Sequence, residues 1–403
     1  MENSGNSFIS GHEIGYFAGK TGLEMKKTMH FFISGHAVAI LVFFVNFVKI
    51  NNGISDEANG SWSRMCGRKQ LRGNAMRKTV HLCLSSHDEV MFRSEADLNM
   101  GFNCLALAVI ETETRLMAEG ILSTHCHGLM QSDSYQEVMR RMRYAYTRFF
   151  NTKYFRHGKM AEKRYFVLEV DGLYHTISAM NYVLRQGLHH GVSNTPFGYP
   201  HCSAGVIFHS DLGRTWDGPI LGSSARYNYL PSNVHIPAKY RMSKSGVLLR
   251  EDVIDTRYVQ ELYITPRNYL FQMNKVAGDE DIRRQKEENG IPPVTMESIE
   301  QGVADFSLQQ ARVFEQGRLD RNRMTDTELC SVIDKVIVPR YFKEGQSASI
   351  YLLSDSTRAE ICNMLWLESN QSRWLRAAGE FLGGKSVTEQ QLRRCMLCPR
   401  NGK

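Results

Sequence analysis

The chain has 403 residues, long enough for a substantial buried core and, on length alone, for two or three domains. Its composition is that of an ordinary globular protein. Nine cysteines without paired spacing, apart from Cys395-Met396-Leu397-Cys398, argue against a disulfide framework and for reduced thiols in a cytoplasmic protein. The formal net charge of +7 is a modest excess, informative only where it is concentrated.

Residues 1–75 read unlike the rest, as a poorly conforming N-terminal extension. Within it, residues 31–50 are apolar but interrupted by His36, Asn46 and Lys49. That makes a borderline membrane span, since a bilayer crossing wants about 20 predominantly apolar residues. Residues 55–77 read as a linker, and Met76 would make a sensible start. From there the pattern becomes orderly. Residues 79–85 predict a strand, and 94–110 show helical spacing through Leu98, Phe102, Leu105 and Leu107. Residues 115–130 read as one or two strands carrying His125 and His127.

Ser134 and Glu137 have the spacing of a capping box that opens a basic helix running to about Phe150. Residues 164–170 alternate as another strand. Asp171 is then the expected cap of a helix over 172–187, with Leu173, Ile177, Met180 and Leu184 as its buried stripe and Tyr182 and Gln186 off it. Strand, helix, two strands, helix, strand, helix is an order that favours an α+β fold, with helices layered against an antiparallel sheet. This domain spans 76–204. A connecting region, 205–276, is partly Gly, Ser and Asn-rich, and its later part is expected to pack back on the first domain. Residues 277–403 read as mainly helical, with 354–378 read as part of a small bundle in preference to a helix-turn-helix. The lone C-x-x-C, with no second ligand pair, reads as a basic tail and not as a zinc site.

Charge is concentrated in one place. Between residues 139 and 165 stand nine Lys or Arg and one acid, Glu162, interleaved with aromatics. Arg140, Arg141, Arg143, Arg148 and Lys153 are the candidate contacts to backbone phosphates, beside aromatics able to stack an unpaired base.

The chemistry is suggested by two short patterns. In a strand, side chains alternate, so His125 and His127 point to one face and Cys126 to the other, and two nitrogens can grip one ion. In a helix, Tyr182 and Gln186 at i and i+4 emerge side by side, a hydroxyl beside an amide oxygen. A nucleophile, a Lewis acid and a cation-rich channel are what phosphodiester transfer needs. His87, His189, His190 and His201 read as loop or surface groups, with His190 the one in position to approach the site.

These residues in this order resemble the single-tyrosine HUH transposases, in particular the bacterial REP-associated tyrosine transposase branch, over about 78–203. The resemblance rests on His125-Cys126-His127, on Tyr146-Thr147-Arg148-Phe149-Phe150-Asn151-Thr152-Lys153-Tyr154, on Arg164-Tyr165-Phe166, and on the run from Tyr182 to Val192. Cys126 stands where the family carries a hydrophobic residue, and Gln186-Gly187 where it usually has Asn-Pro. The resemblance implies a ferredoxin-like antiparallel sheet flanked by helices, with Tyr182 as nucleophile and His125, His127 and Gln186 as ligands of a divalent metal, Mg2+ or Mn2+. It also implies a DNA transposase that cleaves and rejoins single-stranded DNA, hairpin DNA above all, through a 5′-phosphotyrosine. Two alternatives stand beside it: an HUH endonuclease that nicks without transposing, and a non-catalytic DNA-binding regulator that retains the fold. No Walker A loop appears, so no nucleotide cofactor is expected. Monomer and homodimer are both left open.

Overall fold

The computed structural model describes residues 77–86, 88–161, 164–213, 220–222, 224–230, 236–274, 299, 314–315, 318–319 and 322–398. The readings for residues 1–75, including the apolar segment 31–50, lie outside the described residues, as does most of 277–321 within the region read as mainly helical. Among the described residues no helix is long and apolar enough to cross a membrane.

The first core is built on a four-stranded sheet. β1 (Lys78–Ser85) leads to helix α1 (Glu95–Glu111), then β2 (Arg115–Ile121) and β3 (His125–Ser132), helix α2 (Tyr135–Tyr154), β4 (Phe166–Val170) and helix α3 (Leu173–Leu184). The strands lie in the order β2-β3-β1-β4, with every neighbouring pair antiparallel. This is the ferredoxin-like α+β arrangement. β1 buries every residue from Val80 onward, and β3 buries all but Gln131, because the sheet is covered on both faces. The α1 and α2 helices pack together. Helix α3 lies against β2 and β3 and carries Tyr182.

Local signals explain some boundaries and not others. Ser94 caps α1 in a full capping box, accepting from the Asp97 amide while the Asp97 carboxylate accepts from the Ser94 amide. The box expected at Ser134 does not form. Glu137 is drawn forward instead, to Arg140 Nε and Arg141 Nε at 2.6 Å each, charge-assisted bonds that outcompete a neutral amide. Likewise Asp171 is not the cap of α3. Gly172 holds that place with φ +78°, a left-handed conformation that favours glycine, and no side chain caps the helix. Of the expected buried stripe, Met180 and Leu184 are buried and Leu173 and Ile177 only half-buried, while Ala179, Asn181, Tyr182 and Val183 are buried as well. The second cover comes from α4 (Thr256–Tyr263) and α5 (Pro266–Asn274), whose Val259, Tyr263, Tyr269 and Met273 join the same core. Tyr263 Oη donates to Asn181 Oδ1 at 2.7 Å, which ties α4 to α3.

A second core is helical. It gathers α6 (Asp326–Val332), α7 (Asp355–Ser369) and α8 (Glu389–Met396) around Leu329, Ile333, Ile361, Leu365, Leu392 and Cys395. The helix after α7, Arg373–Ala377, has only five residues. Arg93, fully buried, joins this core to the sheet. Its guanidinium donates twice to the Asp334 carboxylate, at 2.7 and 2.8 Å, and once to the Cys395 carbonyl at 2.9 Å. Arg93→Ala strands a carboxylate and a carbonyl together. We expect it to cost about 3–5 kcal/mol, read as a fall in the urea midpoint with an unchanged slope.

Candidate active site

β3 places the two histidines as alternation requires. His125 pairs with Ser85 across to β1 and His127 with Cys83, while on the other side His127 lies opposite Gly120 of β2. Cys126 points the other way, into the core, where burial pushes its thiol well above the ordinary range. Gly120 has a specific use. A Cβ there would lie 3.4 Å from both the Gln186 Cβ and the Val183 carbonyl, so the missing side chain lets the end of α3 settle over the histidine pair.

Helix α3 stops at Leu184, Arg185 breaks the α geometry, and Gln186–His189 forms a separate turn. Gln186 Nε2 donates to the Tyr182 carbonyl at 2.9 Å. This fixes the amide's nitrogen and leaves its oxygen as the available end. The Tyr182 ring stands edge-on to His127, with centroids 5.4 Å apart at 88°. His125 and His127 are 4.9 Å apart, and His190 lies 4.9 Å from His125, so His190 does approach the site. The four sequence-selected residues are therefore gathered on one face of the sheet. They are also shielded: Tyr182 is 2% exposed, and His127 and Gln186 are fully buried.

His81 Nδ1, His125 Nε2, His127 Nε2 and Gln186 Oε1, all buried in this cluster, have no hydrogen-bond partner. Buried polar atoms are nearly always satisfied, so four orphans close together are informative. Burial lowers the His125 pKa to about 4, partly opposed by the neighbouring Gln186 amide. Burial also drives His127 well below the ordinary histidine range, and both rings are neutral at pH 7. Two neutral imidazole nitrogens and one amide oxygen fit a small divalent cation. Among the described residues no group of three or more His, Cys, Asp and Glu is arranged to hold a metal.

Sequence reasoning missed His81. It sits on β1, fully buried, with Nε2 3.1 Å from His127 Nδ1 and its ring stacked on His127. The available signal was a histidine in the middle of an otherwise apolar strand. His201 is also no surface group: it is buried and bonds Glu95 at 2.9 Å. The helical core contributes too. Asp326 accepts from Ser123 at 2.8 Å, and Asp326 and Arg394 both act electrostatically on His125. A cleft of about 150 Å³ runs between His190, His201 and the start of α6.

The basic helix keeps much of its charge for itself. Arg140 and Arg141 share Glu137, whose carboxyl they hold down at about 2, and Arg141 also bonds Glu111. Lys153 donates to Asp97 at 2.6 Å and to Ser94 at 2.9 Å. Arg148 lies over the exposed Tyr144 ring. Arg143 lies near Tyr165. Tyr146, Phe150 and Tyr154 face the core.

No family model and no curated protein sequence matches the chain. Among solved structures, one that is similar is a REP-associated tyrosine transposase bound to a REP hairpin. The alignment has 14% identity and a TM-score of 0.29, covering 40% of this chain and 96% of that one.

Proposed function

We propose that this protein cleaves and rejoins single-stranded DNA, with Tyr182 as the nucleophile and His125, His127 and Gln186 as ligands of a divalent cation, Mg2+ or Mn2+. One observation carries the reading. The orphaned His125 Nε2, His127 Nε2 and Gln186 Oε1 gather beside a tyrosine ring 5.4 Å from the His127 ring. A bound divalent cation would neutralise charge on the non-bridging oxygens of a phosphodiester. The remaining chemistry belongs to the chain. Tyr182 Oη attacks phosphorus, the bond to the 3′ oxygen breaks, and that oxygen leaves as a 3′ hydroxyl after taking a proton. The phenol proton passes to water. The 5′ phosphate stays esterified to Tyr182, so a second 3′ hydroxyl can displace the phenol and reseal the strand without ATP. Arg140, Arg141, Arg143, Arg148 and Lys153 are the proposed contacts to backbone phosphate, which requires exchange of their present carboxylate partners for phosphate wherever they have one.

A second reading is favoured by the burial itself. A phenol 2% exposed is shielded from a strand in solution, as suits a DNA-binding regulator that keeps the fold without the reaction. The two readings part in one experiment. A labelled single-stranded hairpin from the gene's own flanks is incubated with the protein and Mn2+, then denatured. A covalent protein–DNA band, and its conversion to a joined strand when a 3′-hydroxyl oligonucleotide is added, are the expected results. A band without joining would leave a nicking endonuclease, and tight binding without any band would leave the regulator.

A further inference from the structure

The pair formed by His81 and His127 is a hydrogen bond between two buried imidazoles, and a neutral ring offers one donor and one acceptor. At 3.1 Å one of the two nitrogens has to carry the proton. If His81 Nε2 donated, His127 would be protonated at Nε2, a buried atom without a hydrogen-bond partner. If His127 Nδ1 donates, its Nε2 keeps a lone pair aimed into the cluster. His81 is in turn clamped: Phe166 stands edge-on at 5.5 Å, Tyr182 edge-on at 5.6 Å, and His127 is stacked at 5.3 Å. A ring held on three sides is a rigid acceptor. Partners of this kind fix the tautomer and orientation of a metal-bound histidine and are worth roughly 10–100-fold in metal affinity.

We propose that His81 is a positioning residue, which accepts from His127 Nδ1 and thereby turns the His127 Nε2 lone pair toward the cation; this rests on the site reading above. In this arrangement His81 Nε2 is taken up by His127, and its Nδ1, buried and without a hydrogen-bond partner, carries the proton and has no lone pair for a cation. The test is Mn2+ titration by calorimetry on the full chain. His81→Phe keeps a stacked ring and removes the acceptor, and is expected to weaken Mn2+ binding by roughly 10–100-fold. His81→Gln returns an acceptor near the same place and is expected to recover much of that loss. Equal Mn2+ affinity in wild type and His81→Phe would overturn the proposal while leaving the site reading intact. Failure of wild type to bind Mn2+, or a His127→Ala variant that binds it normally, would overturn the site reading, and the proposal with it. Should His81→Phe fail to fold, nitrogen-15 NMR of the wild-type histidines gives an independent answer. His127 protonated at Nδ1 supports the proposal, and His127 protonated at Nε2 overturns it.

Discussion

Tyr182→Phe is expected to abolish the covalent protein–DNA band, a loss of roughly 10⁴-fold or more in strand cleavage, because a removed nucleophile leaves only binding and electrostatic assistance. The rest of the site is expected to survive. The ring of Tyr182 packs edge-on against both His81 and His127, and phenylalanine keeps that shape and its buried area. One hydroxyl contributes about 1 kcal/mol to stability, too little to unfold a domain of this size. Mn2+ affinity should also stay near that of wild type, since His125, His127 and Gln186 are all retained. The decisive comparison sets the denatured band against Mn2+ affinity in the same preparation. An undiminished band would move the covalent bond to another tyrosine, with Tyr165 and Tyr174 the nearest in sequence. A lost band with lost Mn2+ binding would mean that the hydroxyl serves the cation and not the strand.

Each pair was legible in the chain for a geometric reason, and the meeting of the two pairs was what the resemblance implied. Strand alternation puts His125 and His127 on one face, and the four-residue spacing lets Gln186 reach back to the Tyr182 carbonyl although the helix ends at Leu184. Local periodicity also gave the sheet and its flanking helices, since β1, α1, β3 and α2 each carry their own signal. Most of what failed depended on partners that one element's periodicity does not contain. The stripe on α3 was misjudged because its outer side is covered by α4 and α5, some eighty residues later, and no helical wheel contains that information. Lys153, the candidate phosphate contact, also pairs with Asp97, buried 56 residues earlier, a partner its own helix does not reveal. Ser134 had the right spacing for a capping box, but Glu137 had two guanidiniums within reach. His81 escaped notice for the same kind of reason: its partner is 46 residues away, across a strand pairing that the sequence did not specify.

The buried imidazoles also set the acid stability of the metal-free protein. Burial depresses His81 to about 3 and His125 to about 4, and His127 lies well below its ordinary value. In the unfolded chain each titrates near pH 6.5. A base with a depressed folded pKa is neutral in both states at pH 7.5 and contributes no pH dependence there. Between about 6.5 and 4 the unfolded chain takes up protons that the folded chain refuses, so stability falls as pH falls, by about 1.4 kcal/mol per unit for each ring. The three rings act in the same direction, so stability falls as pH falls through this window. Depressed carboxyls such as Glu137 act in a lower window, below their unfolded value near 4.5, so the two effects separate on the pH axis. Urea unfolding at half-unit steps from pH 7.5 to 4.5 measures the slope directly. His81→Phe should remove one ring's share, about 1.4 kcal/mol per unit, and leave the rest. A flat profile across this range would mean that the folded cluster takes up protons as readily as the unfolded chain, and would overturn the depression of these rings.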